Sequence, residues 1–180
     1  EFTANSISYV HHFSKKTFVG QPSGWEAVVV PFGVQSVTRP DGKDMSPFGV
    51  ANFVTSYPFW LASWEYASDW FAYTAVIEAN TPMIIAMPNS DDYKDEFNTK
   101  GDIIFSSSNV LVHTTVDDIQ VGNGNFTFHA TYEGVAVDNN VYALNDETYI
   151  APYGGGTFMP GGTFVAASRD IRPFEAYVFN

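Results

Sequence analysis

Three runs of β-branched and aromatic residues, each bounded by proline, constrain this chain more than any other feature. They are residues 25–34 (WEAVVVPFGV), 78–88 (EANTPMIIAMP) and 172–179 (RPFEAYVF). Valine, isoleucine, phenylalanine and tyrosine fit a pleated, half-buried surface. Proline has no N–H to give to a ladder, so it sits at strand starts, edges or bulges. Each run therefore reads as a buried strand whose boundary proline sets, with Pro31 marking a bulge or bend. The runs lie near the start, middle and end, which argues for one closed β domain over residues 1–180. Their aromatics Trp25, Phe32, Phe174 and Tyr177 read as core.

The stretches between them carry the same signal. Phe128, Ala130 and Tyr132 alternate with Thr127, His129 and Thr131, the period of a half-buried strand. Residues 59–64 are apolar on both faces, as a central strand or a sheet–sheet contact would be. Residues 103–115 are interrupted by Ser106-Ser107-Ser108-Asn109, which predicts a turn between two short strands. Asp41-Gly42 and Asn123-Gly124-Asn125 read as hairpin turns, and Pro160-Gly161-Gly162 as a loop. Helical periodicity is weak, with short helical turns at most over 49–57 and 90–98. Short strands with turns every 8–12 residues or so predict an all-β fold. The expected form is a two-sheet antiparallel β-sandwich with jelly-roll or Greek-key-like connections.

Composition narrows the function classes. The 180 residues are 17% aromatic and only 16% charged, below the roughly 25% of an average domain. Twenty acids against eight bases give a net charge of −12. That balance argues against nucleic acid, whose phosphates need clustered cations, and against anionic membrane surfaces. No apolar run reaches the length of a membrane-spanning helix, so no membrane insertion is expected. The absence of cysteine rules out disulfides, thiolate metal sites and a cysteine nucleophile. A start at Glu1, with neither Met nor a signal pattern, fits an excised or C-terminal module of a larger protein.

Four segments in order also carry a resemblance. Ile7, Tyr9, Val10 and Phe13 lead into 25–32 (WEAVVVPF), followed by 78–88, by 140–145 (NVYALN) and by 171–179 (IRPFEAYVF). The series resembles a β-sandwich module, often C-terminal, of large secreted and surface proteins of Bacteroidetes, including leucine-rich-repeat surface antigens. His11, Val29 and Gly33 depart from that pattern, where arginine, often cysteine, and aspartate are usual. The resemblance implies an extracellular or cell-surface location and a non-catalytic, adhesin-like role. It implies host or cell-surface glycans or proteins as partners, and no cofactor.

Asp91, Asp92, Asp95 and Glu96 could offer oxygens to calcium, but lack the spacing and the glycine of a calcium loop. A solvated acidic loop is the plainer reading. His11 and His12 are adjacent on a strand and point to opposite faces, so they cannot share one ion. His113 and His129 read as half-exposed strand residues, and no metal site is expected. Glu26, Glu65, Asp69, Glu78 and Glu175 lie near aromatics, as a glycoside hydrolase would need, but nothing pairs them. Strand position places Glu26 and Glu175 on the solvent face. With no catalytic motif, no enzyme is expected. The aromatic cluster Trp60, Trp64, Trp70, Phe71 and Tyr73 is either core or a sugar-stacking platform. Trp60, Trp64, Trp70 and Tyr73 are accordingly the candidate ligand-binding residues of a carbohydrate-binding module, the alternative to a purely structural one.

Overall fold

The computed structural model describes residues 1–65, 70–116, 120–121 and 126–180, and the fold is all-β. In chain order the strands are β1 (Phe2–His12), β2 (Glu26–Val28), β3 (Ser36–Thr38), β4 (Asp44–Pro47) and β5 (Tyr57–Glu65). Next come β6 (Trp70–Tyr73), β7 (Met83–Ala86), β8 (Asp102–Val112), β9 (Gln120–Val121) and β10 (Thr127–Ala130). The last are β11 (Val141–Leu144), β12 (Tyr149–Ile150), β13 (Thr157–Phe158), β14 (Phe164–Ala166) and β15 (Ala176–Phe179). The largest sheet runs β1-β8-β3-β4-β5-β7-β2, with β6 added to β5. A second sheet runs β14-β11-β15-β10-β9, and β12 pairs β13 in a small third. Pairing is antiparallel except between β4 and β5, where Met45 faces Tyr57 in parallel register.

The large sheet curls around its own core. Phe105 of β8 and Val37 of β3 share one apolar cluster with Leu61, Ile85 and Val28 of β5, β7 and β2. The opposite face of that second group carries Ala27, Ala62 and Ile84, which pack on Phe128, Leu144, Ala176 and Val178 of the second sheet. Strands β2, β5 and β7 are thus covered on both sides, which explains why residues 59–64 are apolar on both faces and why all of β7 is buried. Each large side chain buried this way contributes about 1.5–3 kcal/mol.

Each proline-bounded run holds a strand, but proline abuts the strand only at β7; β2 ends three residues before Pro31 and β15 starts three residues after Pro173. β7 starts immediately after Pro82, and Pro88 follows its end. β2 stops at Val28, and the chain continues through fully buried Val29 and Val30 to Pro31. Off the ladder, the Val29 N–H still donates to the Phe174 carbonyl (3.0 Å). The Asp41-Gly42 turn joins β3 to β4, with Gly42 at φ +79° and the Arg39 N–H donating to the Lys43 carbonyl (2.9 Å). Asn123-Gly124-Asn125 lies outside the described residues.

Several expectations change. β8 runs unbroken through Ser106-Ser107-Ser108, because β1 pairs with it from Phe2↔Val112 to His12↔Asp102. The serines are satisfied there: the Ser107 hydroxyl donates to the Gly33 carbonyl and accepts from the Gln35 N–H. The predicted turn shrinks to one residue, Asn109, at φ 51°. His129 is buried rather than half-exposed, stacked on Tyr177 and 2.6 Å from the Thr127 hydroxyl. Glu26 and Glu175 do not face solvent; each is largely covered and ion-paired.

Candidate functional site

β5 builds the site by alternation. Trp60, Ala62 and Trp64 project to one face, and directly paired residues of neighbouring strands share it. Across the β6 pairing Ala62 faces Tyr73 and Trp64 faces Phe71. Across the β7 pairing Trp60 faces Ala86 and Ala62 faces Ile84. The face therefore has aromatics at its corners and small or aliphatic residues at its centre.

The second sheet covers only part of this face. Trp64 meets Phe71 edge-on (5.0 Å), Phe71 meets Phe128 edge-on (5.2 Å), and Phe71 stacks on Phe164 (5.8 Å). At this end the aromatics join the two sheets, so the core reading holds for Phe71 and for much of Trp64. The buried Trp64 indole N–H has no acceptor among the described residues. Elsewhere the face is open. Trp70 and Tyr73 keep 72% and 74% of their surface in solvent. Trp60 is half-buried, stacked on Phe48 (6.4 Å) and tilted against Tyr93 (5.8 Å).

Two hollows of about 590 Å³ and about 580 Å³ follow from this partial cover. The first lies among Trp60, Tyr93 and residues 17–23. The second lies among Trp64, Trp70, Phe71 and residues 161–164. Trp25 and Tyr73 line both, their rings 6.5 Å apart. All four residues proposed from sequence thus border this pair of adjoining hollows, which share one wall and make up the groove: Trp60 in the first, Trp64 and Trp70 in the second, Tyr73 in both. The Tyr73 and Tyr93 hydroxyls and the Gln21 amide add donors and acceptors to the aromatic faces.

Other parts of the groove were missed by sequence reasoning. Trp25, read as core, is half-buried and lines both hollows. The loop around Pro160-Gly161-Gly162 forms one wall, docked against Trp25: the Gly24 N–H donates to the Pro160 carbonyl (2.8 Å), and the Trp25 N–H to the Gly161 carbonyl (3.3 Å). Buried Asn145 holds this loop in shape. Its amide nitrogen donates to the carbonyls of Glu147 and Met159 (both 2.8 Å), and its oxygen accepts from the N–H groups of Gly162 and Thr163. The only sequence signal was an asparagine ending a strand and a Pro-Gly-Gly loop far along the chain. Behind the first hollow, the Asp92 carboxylate accepts from the Val19 N–H (3.2 Å), so one member of the acidic loop braces the 17–23 segment.

Charge is concentrated elsewhere. Neither hollow has a charged residue among its described lining. A cluster at the junction of β1, β2 and the second sheet pairs Lys15 with Asp146 (3.1 Å), Arg169 with Asp146 (2.6 Å) and Glu175 (2.8 Å), and His11 with Glu26 (2.8 Å). Burial pushes the Asp146 carboxyl up, but hydrogen bonds and charges from Arg169 and Lys15 outweigh it and bring it to about 2. Burial likewise raises Glu26, and the His11 hydrogen bond, the Lys15 N–H and the charges of both overcome it, leaving Glu26 below the usual carboxylate range. Burial, helped by the charge of Glu26, pushes the Tyr9 hydroxyl up to about 12. These carboxylates are tied down as structural anions. Glu65 and Glu78 are exposed, and Asp69 lies outside the described residues. No group of three or more potential metal ligands comes together among the described residues.

Comparison of the chain with protein-family models, with curated proteins and with solved structures gives no match.

Proposed function

We propose that this chain is a non-catalytic binding module of an exported bacterial surface protein, and that it holds carbohydrate on the aromatic groove. The observation that carries this reading is the pair Trp70 and Tyr73, large rings left 72% and 74% exposed at the rim of an uncharged groove. Contiguous exposed aromatic surface marks interaction sites, and flat rings suit the apolar faces of sugars. The lining has no carboxylate among its described residues, which supports binding over hydrolysis. The ordered motifs from Tyr9 to Phe179 support the surface-module setting. Exposed Phe48, Val50 and Val54 extend apolar surface beyond Trp60 and favour the broader adhesin-like role.

A glycan array followed by tryptophan-fluorescence titration tests the proposal. At least one glycan should bind and perturb the emission. Trp70→Ala and Tyr73→Ala should each weaken it about tenfold, the equivalent of 1.4 kcal/mol, with unchanged thermal stability. No bound glycan, or binding untouched by both substitutions, would sink the proposal.

A further inference from the structure

We infer that the glycan is an uncharged chain of several sugar units that crosses the Trp25–Tyr73 pair and fills both hollows at once, an inference that rests on the carbohydrate reading above. Trp60 and Trp64 stand four residues apart on β5, about 13 Å at the rise of a strand. They line different hollows. A single sugar ring reaches only one of them. What lies between is a pair of rings shared by both hollows, above a floor of small residues: Ala86 on one side and Ala62 on the other. Trp25 and Tyr73 can therefore act as a saddle over which an extended ligand passes.

The charge pattern selects the ligand type. The chain carries −12, yet no lysine, arginine or histidine is among the described lining of either hollow. Lys15 and Arg169 are held by Asp146 and Glu175 in the charged cluster. A uronate or sulfated polymer would approach against a repulsive field and find no cation among the described lining to pair with. A neutral polymer meets aromatic faces with hydroxyl and amide groups beside them. Binding built on such contacts is insensitive to salt, because screening acts on charge pairs.

Affinity gel electrophoresis separates the possibilities. The neutral probes are soluble starch, mixed-linkage β-glucan, arabinoxylan and galactomannan; the anionic ones are polygalacturonate, alginate and heparin. The expected result is retardation by at least one neutral polymer, equal at low and high salt, and none by the polyanions. Calorimetry with oligosaccharides of the retarding polymer should then show affinity rising at least tenfold from the disaccharide to a chain that spans the groove. Trp70→Ala, which touches only the second hollow, and Tyr93→Ala, which touches only the first, should each weaken the long ligand about tenfold. Gln21→Ala, on an exposed loop of the first hollow, should weaken it in the same sense and stands in if Tyr93→Ala unfolds. Salt-sensitive retardation by a polyanion alone would overturn this inference and leave carbohydrate binding standing. So would a long ligand affected by variants of one hollow only. Retardation by no polysaccharide would overturn both.

Discussion

Phe128→Ala is the sharpest test of how the two large sheets are joined. Phe128 is 0% exposed and sits at the centre of the aromatic joint, 5.2 Å from Phe71, 6.0 Å from Phe164 and 6.4 Å from Trp64. Truncating a fully buried phenylalanine costs about 3–5 kcal/mol, through lost transfer energy and the cavity left behind. Each favourable ring pair adds about 0.5–1.5 kcal/mol beyond area. With three ring neighbours, the expected loss lies in the upper half of that range, about 4–5 kcal/mol. For a chain of this size each kcal/mol lowers Tm by about 2–4 °C, so the drop should be about 8–20 °C. Phe128→Leu keeps part of the apolar volume but loses the three ring pairs, and should cost about 1.5–3 kcal/mol, less than the alanine variant. Urea unfolding followed by tryptophan fluorescence and by near-ultraviolet circular dichroism gives both numbers. A loss below about 1 kcal/mol for the alanine variant would refute the reasoning. So would two separate transitions, since a shared core requires the sheets to unfold together.

Two further expectations follow from the charged cluster and from the groove wall. The folded-state pKa values of Asp146 and Glu26 lie below their ordinary ones, so the stability they contribute is present above the ordinary value (3.8 for Asp146) and is lost as pH falls toward about 2. Tm should decline through that window, and Asp146→Asn should decline less; equal slopes would contradict the assignment. Gly161 has φ +72°, and a Cβ there would meet the Trp25 carbonyl oxygen at 2.4 Å and its nitrogen at 2.6 Å. Gly161→Ala should cost at least about 1–2 kcal/mol from the left-handed backbone alone and, by displacing Trp25, weaken glycan binding. A variant with wild-type Tm and affinity would show that the loop does not set the groove.

Local pattern exposed a good deal of this structure. The proline-bounded runs, the two-faced apolar stretch at 59–64 and the Asp41-Gly42 turn were legible because each depends on neighbours within a few residues. Alternation put Phe128 on one face with Ala130 and Tyr132, and the structure buries Phe128 together with His129 of the other face. What stayed hidden depends on distant partners. The serine run of β8 looks like a turn until β1, Gly33 and Gln35 satisfy its polar groups. Glu26 and Glu175 look solvent-facing until His11 and Arg169 pair with them and the Ser14 and Lys15 N–H groups donate to Glu26. The four proposed binding residues were visible as an aromatic cluster on β5 and β6. Trp25 and the Asn145-braced loop were not, because chain-remote backbone contacts bring them to the groove.

The pairing of β1 with β8 has a consequence for how the chain is made. Phe2 lies opposite Val112 and His12 opposite Asp102, so β1 has no partner until residues 102–112 have been made. Closing so long a loop must be paid in entropy before any contact rewards it, and non-local strand pairing of this kind makes folding slow. Synthesis from the N-terminus therefore leaves β1 as a waiting strand, and any fragment that stops short of residue 102 lacks the template against which it zips. Among the strands of this domain, the first to be made is one of the last that can settle.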